Sequence, residues 1–172
     1  MTEKELKEEF IQYFGEELWE EEEILEFLQK VLFEVCNDYL GMIHPVPVLF
    51  EDLNGNDSIL DLENECIFLN RKNKNNKVLL MASLIHEATH LFQIAYAATN
   101  DTPKARRWRK ELESYINDSN PVGNVLQEIE IDAEATAQVV LSCEYGLVYK
   151  NPDDTIQSLI DEYILSRKIL ES

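Results

Sequence analysis

The chain has 172 residues, 45% of them apolar and 28% charged, enough for one packed core and unlike a collagen-like, low-complexity or largely disordered chain. Acids outnumber bases 34 to 15, and the formal net charge of -19 opposes binding to DNA, RNA or anionic lipid while suiting a basic protein partner or simple solubility. Cys36, Cys66 and Cys143 form no metal-ligand pattern, and an odd number without a secretory leader predicts reduced thiols in a soluble cytoplasmic protein.

Thr2 and Glu5 have capping-box spacing, and Leu6, Phe10 and Phe14 recur at helical intervals up to Gly15. A second helix is predicted from about 18 to 40, with Ile24, Leu28, Val31, Leu32, Val35 and Tyr39 inward and Gly41 closing it. Residues 1–26 hold eleven Glu against two Lys. Residues 1–42 therefore read as an acidic helical region packed on the rest, its charge facing either solvent or a basic protein partner. Pro45 and Pro47 bracket a change to strand character. Segments 46–50, 58–62 and 66–70 read as short strands, with Asn54-Gly55-Asn56 as a turn between the first two.

A basic, polar loop over 71–77 leads into a stretch from 78 to about 98 that is apolar nearly all round, the pattern of a buried helix. Its longest apolar run, 78–85, is interrupted by Ser83 and falls short of the roughly 20 residues that span a bilayer. Thr102-Pro103 supplies a cap and a first-turn proline for a helix to about 116. Another long helix is predicted from 122 to 145, closed by Gly146, and a last one from Asn151-Pro152 onward. The predicted architecture is α+β: a single domain over 1–172, mostly helical, with a small sheet of about three strands ahead of the central helix.

Two of the three histidines lie in His86-Glu87-Ala88-Thr89-His90, an H-E-x-x-H motif inside that central helix. Residues four apart share a helix face, so both imidazoles can reach one metal ion, with Glu87 beside them. Inside an apolar helix these three polar groups are costly to bury without a partner, and a metal supplies one. A catalytic zinc needs a third protein ligand. Position 93 is Gln and position 96 is Tyr, so no histidine follows at the usual spacing, and His44 precedes the motif beside Pro45. The acidic run Glu128-Ile129-Glu130-Ile131-Asp132-Ala133-Glu134 is the better source, with Glu130, Ala133, Glu134 and Ala137 on one face.

His86-Glu87-x-x-His90 followed by Glu130-x-x-Ala133-Glu134-x-x-Ala137 resembles the zincin metallopeptidases of the Glu-ligand (gluzincin) type, and among them the ImmA/IrrE-type peptidases. The strand Cys66-Ile67-Phe68-Leu69-Asn70 is similar to the Asn-terminated strand that leads into their motif helix. The sequence departs from them at Thr89, where Gly is common, and in a long segment between His90 and Glu130. The resemblance implies a zincin-like fold, with His86, His90 and Glu130 as zinc ligands and Glu87 as general base. Glu134 then receives a hydrogen bond from a ligand imidazole, and Glu128 and Asp132 are substitutes for Glu130. It also implies hydrolysis of a peptide bond in an intracellular protein. The alternative is an acidic zincin-fold protein that docks on a basic partner without turnover. Tyr96, Tyr115 and Tyr145 are candidates for stabilising the oxyanion.

Five cations surround Trp108 in Lys104-Ala-Arg106-Arg107-Trp108-Arg109-Lys110. They read as an internal complement to the acidic N-terminal helices, or as a contact for an acidic substrate segment or nucleic acid.

Overall fold

A computed structural model of the protein describes residues 2–15, 19–41, 46–117 and 127–171. Among these, six α-helices accompany one three-stranded sheet, so the protein is α+β and mostly helical. The chain divides into two compact units, Met1–Leu84 and Ile85–Ser172, with the boundary inside one continuous helix.

In the first unit the capping box forms as its spacing predicts. Thr2 Oγ1 accepts from the Glu5 amide at 3.3 Å, and the Glu5 carboxylate accepts from the Thr2 amide at 2.6 Å. This opens α1 (Glu3–Gly15). The next helix, α2 (Glu21–Asp38), starts later than the sequence suggests, with Glu20 extended and three Glu in the first turn to complement the helix dipole. Its inner face buries Ile24, Phe27, Leu28, Val31, Leu32, Val35 and Cys36. Tyr13 stacks on Phe27 at 4.2 Å between ring centres and meets Trp19 edge-on at 5.0 Å.

The strands are β1 (Val48–Glu51), β2 (Ser58–Asp61) and β3 (Cys66–Asn70), in the order β1-β3-β2. β1 runs parallel to β3 and β2 antiparallel to it. Gln29 joins α2 to β1 by imitating a strand neighbour: its amide donates to the Val46 carbonyl and accepts from the Val48 amide, both at 3.0 Å. Asn70 is buried at the end of β3, where it donates to the carbonyls of Leu53 (2.7 Å) and Asn56 (2.8 Å) and accepts from the Lys72 amide. Its carboxamide thus pins the turn before β2. The loop expected after β3 holds a single 3₁₀ turn, Arg71–Asn73, tied to α2 by Arg71 Nε on Glu21 at 3.0 Å.

The central helix, α3 (Lys77–Thr99), is long and apolar enough by composition to cross a membrane, and most of it is buried within the protein, as the core helix of a globular fold is. Its first residue, Lys77, donates to the Tyr13 carbonyl and lies 4.8 Å from the centre of the Tyr13 ring.

The second unit holds the rest of α3 with α4 (Pro103–Asn117), α5 (Glu128–Tyr145) and α6 (Asp154–Glu171). Thr102 caps α4 through its hydroxyl on the Ala105 amide at 3.0 Å, as predicted. Within the predicted 122–145 helix, residues 122–126 lie outside the described residues, and α5 begins only at Glu128 because Gln127 is extended. Gly146, at φ 64°, closes it in the left-handed conformation that glycine adopts at little cost. The last helix begins at Asp154 and not at Asn151-Pro152, because the Asp153 carboxylate caps the amides of Thr155 (2.9 Å) and Ile156 (3.1 Å). Ala97, Trp108 and Ile129 form a buried cluster with Phe92, Tyr96 and Leu112 around it. The basic segment is balanced locally: Arg106 and Arg109 pair with Asp101, Arg107 pairs with Glu128, and Lys104 lies 4.5 Å from the centre of the Trp108 ring.

Candidate metal centre

His86 and His90 sit one turn apart on α3, their rings edge-to-face at 4.7 Å. Glu130 reaches them from the first turn of α5. Its two carboxylate oxygens lie 3.1 Å from His86 Nε2 and 3.1 Å from His90 Nε2, and the two Nε2 atoms are 3.0 Å apart. These three side chains are the described group of His, Cys, Asp and Glu whose ligand atoms converge, all within 4.8 Å of one another. Ala133, on the same face of α5 as Glu130, is fully buried.

The outer ring nitrogens are also engaged. His90 Nδ1 is 2.8 Å from Gln93 Oε1. His86 Nδ1 lies 2.9 Å from Glu134 Oε1, an ion-pair approach too bent for a linear hydrogen bond. Both rings therefore turn Nε2 toward the Glu130 carboxylate. Lone pairs at 3.0–3.1 Å repel unless a cation stands among them, either a proton or a metal ion. Burial alone disfavours a charged His86, yet contact with Glu130 and Glu134 overrides it and holds the imidazole pKa well above its ordinary value. Burial likewise opposes ionisation of Glu130, and the two imidazoles overrule it, keeping the carboxyl well below the usual carboxylate range. Donors about 2.0–2.2 Å from a tetrahedral metal are about 3.3–3.5 Å apart, a few tenths of an ångström wider than the 3.0–3.1 Å spacing of these ligand atoms, so the group could hold a metal ion.

Glu87 follows His86 directly and is buried, on the same helix turn as both imidazoles. Thr89 is accommodated without a glycine at its position, because its hydroxyl turns back to the Ile85 carbonyl at 2.7 Å. The alternative third ligands are engaged elsewhere. Glu128 faces Arg107 at 3.1 Å, and buried Asp132 accepts from Gln93 (2.8 Å) and from the Tyr163 hydroxyl (2.7 Å). His44 lies outside the described residues, as does the side chain of Tyr115. Tyr145 is fifteen residues beyond Glu130 on α5, about 22 Å along the helix axis, too far to reach a shared substrate atom. Tyr96 is about 9 Å beyond His90 along α3, and its hydroxyl is 3.0 Å from that of Thr102.

The contacts of Gln93 with His90 and Asp132, and of Tyr163 with Asp132, have no counterpart in the sequence reading. Gln93 alone carried a signal, a polar residue three positions after His90 on an otherwise apolar helix. No protein-family model, curated protein or solved structure matches this chain.

Proposed function

We propose that the protein is a zinc metallopeptidase of zincin type that hydrolyses a peptide bond in an intracellular protein. The observation that carries this reading is the convergence of His86 Nε2, His90 Nε2 and the Glu130 carboxylate beside buried Glu87. Two imidazoles and one carboxylate form the ligand set of many catalytic zinc sites, which leave a fourth position open. His86, His90 and Glu130 would hold a zinc ion, which would supply Lewis acidity toward a carbonyl and lower the pKa of water. Glu134 holds the outer edge of the His86 ring, and Gln93 that of His90. Glu87 is the residue of the motif kept off the metal. Its carboxylate accepts the proton of the attacking water and passes it to the leaving amine. The cytoplasmic location and the protein substrate are part of the same proposal, with no membrane or nucleic-acid partner in a chain of charge -19.

The test pairs metal content with turnover. The purified protein is expected to hold about one zinc per chain, lost in His86→Ala and His90→Ala. Glu87→Gln should keep the zinc and lose about 10²–10⁴ in rate on peptides or on proteins trapped by that variant. A wild-type protein that stays metal-free after zinc addition ends this reading. Equal cleavage by wild type and Glu87→Gln ends the role of Glu87. A cellular effect that survives Glu87→Gln would instead favour the acidic protein that docks on a basic partner.

A further inference from the structure

We propose that Gln93 and Tyr163 are positioning residues of the metal centre, linking the last helix to a ligand imidazole through the chain Tyr163–Asp132–Gln93–His90. The inference rests on the metal-centre reading above. The Gln93 side-chain nitrogen donates to the Ile129 carbonyl at 2.9 Å and to Asp132 Oδ2 at 2.8 Å. Neither a carbonyl nor a carboxylate can donate in return, so this end of the amide must be the NH₂ group. The opposite end is then the oxygen, and it lies 2.8 Å from His90 Nδ1. A carboxamide oxygen only accepts, so Nδ1 must carry the ring proton. With Nδ1 committed to Gln93, Nε2 is the His90 nitrogen that faces His86 and Glu130 and that a metal would take up.

Asp132 is fixed in turn. Its other oxygen accepts from the Tyr163 hydroxyl at 2.7 Å, with the Arg167 guanidinium 3.9 Å away. Gln93 is 0% exposed and Asp132 4% exposed, so solvent has little access to replace a lost partner. α3 and α5 thus carry both ligands and supports, while α6 contributes a hydroxyl that touches no ligand. Outer partners of ligand histidines typically change metal affinity 10–100-fold. Gln93 contacts the ring directly and takes that full range. Tyr163 acts through two intermediates, so its effect is expected to be smaller, roughly 3–10-fold.

Zinc affinity is measured by chelator competition for wild type, Gln93→Met, Tyr163→Phe and Gln138→Met. The last variant is the control, because Gln138 and Gln157 exchange two hydrogen bonds (2.8 and 2.9 Å) between the same helices α5 and α6 without touching the chain. Expected are a 10–100-fold loss for Gln93→Met, about 3–10-fold for Tyr163→Phe, and no change for Gln138→Met. Imidazole ¹⁵N–¹H correlations should show the His90 proton on Nδ1 in the wild type, with its solvent protection lost in Gln93→Met. Should Gln93→Met fail to fold, Tyr163→Phe against Gln138→Met decides. Tyr163→Phe within twofold of wild type, or Gln138→Met as weak as Tyr163→Phe, overturns the proposal. So does a His90 ring in the metal-free protein that carries no proton on Nδ1. A wild type that binds no zinc removes the metal reading, while the proton position in the metal-free ring still decides the chain of contacts.

Discussion

Glu111 offers a direct test of how Glu130 is placed. The first turn of α5 has no cap of its own, because Gln127 makes no side-chain hydrogen bond to it. The carboxylate of Glu111, on α4, does that work from a distance: its oxygens accept from the amides of Glu128 at 3.2 Å and Ile129 at 2.9 Å. Losing an N-cap acceptor costs about 0.5–2 kcal/mol, and losing a negative charge at a helix N-terminus a further 0.3–1. The contact is partly solvated, which favours the lower half of the combined range, so Glu111→Ala should destabilise by about 1–2 kcal/mol. At roughly 2–4 °C per kcal/mol for a chain of this size, the melting temperature should fall by about 2–8 °C. Because Glu130 lies in the turn being released, hydrogen exchange at the amides of 128–130 should accelerate and zinc affinity should weaken together. Glu111→Gln keeps one neutral acceptor and should fall between. Urea unfolding, amide exchange and chelator competition on the three proteins make the measurement. A Glu111→Ala protein within 0.3 kcal/mol of wild type, with unchanged exchange at 128–130, would refute the remote-cap argument.

The remaining predictions concern the protons, the third ligand and the thiols. In the metal-free protein the raised His86 pKa contributes stability fully present below its unfolded value near 6.5 and lost as pH rises through the folded value. The depressed Glu130 pKa contributes stability present above the unfolded value near 4.5 and lost as pH falls through the folded value. Metal-free stability, followed as urea midpoint against pH in the presence of a chelator, should therefore peak between about 4.5 and 6.5 and decline above it, with the decline absent in His86→Ala. Zinc competes with the same proton, so calorimetry at pH 7 in buffers of different ionisation enthalpy should show proton release on binding. Glu130→Gln should weaken zinc binding far more than Glu128→Gln, whose side chain is held by Arg107, and release of the metal by Glu128→Gln would displace Glu130 as third ligand. Among the thiols, exposed Cys143 should label rapidly at pH 8, while buried Cys36, its pKa pushed up to about 11, and buried Cys66 stay protected until unfolding. Rapid labelling of Cys36 in the native protein would contradict its burial.

Features that act over a few residues are encoded in local periodicity and spacing and can be read from the chain alone. The H-E-x-x-H motif set two imidazoles on one face, because residues four apart on a helix coincide whatever surrounds them. The Thr2–Glu5 box, the Thr102 cap and the Gly146 stop act within a few residues, and each forms as written. The three strands and their place ahead of α3 were legible for the same reason. What lay out of reach depended on groups far apart in the chain. Parallel pairing of β1 with β3 leaves no local signature, and the start of α5 is set by an extended Gln127 and by Glu111 on another helix. The acids of the 128–134 run are alike in composition and differ only in what they face: Arg107 for Glu128, two imidazoles for Glu130, Gln93 and Tyr163 for Asp132, His86 for Glu134. A carboxylate's role is fixed by the cation or donor within about 3 Å of it, and only the packed helices decide which group that is.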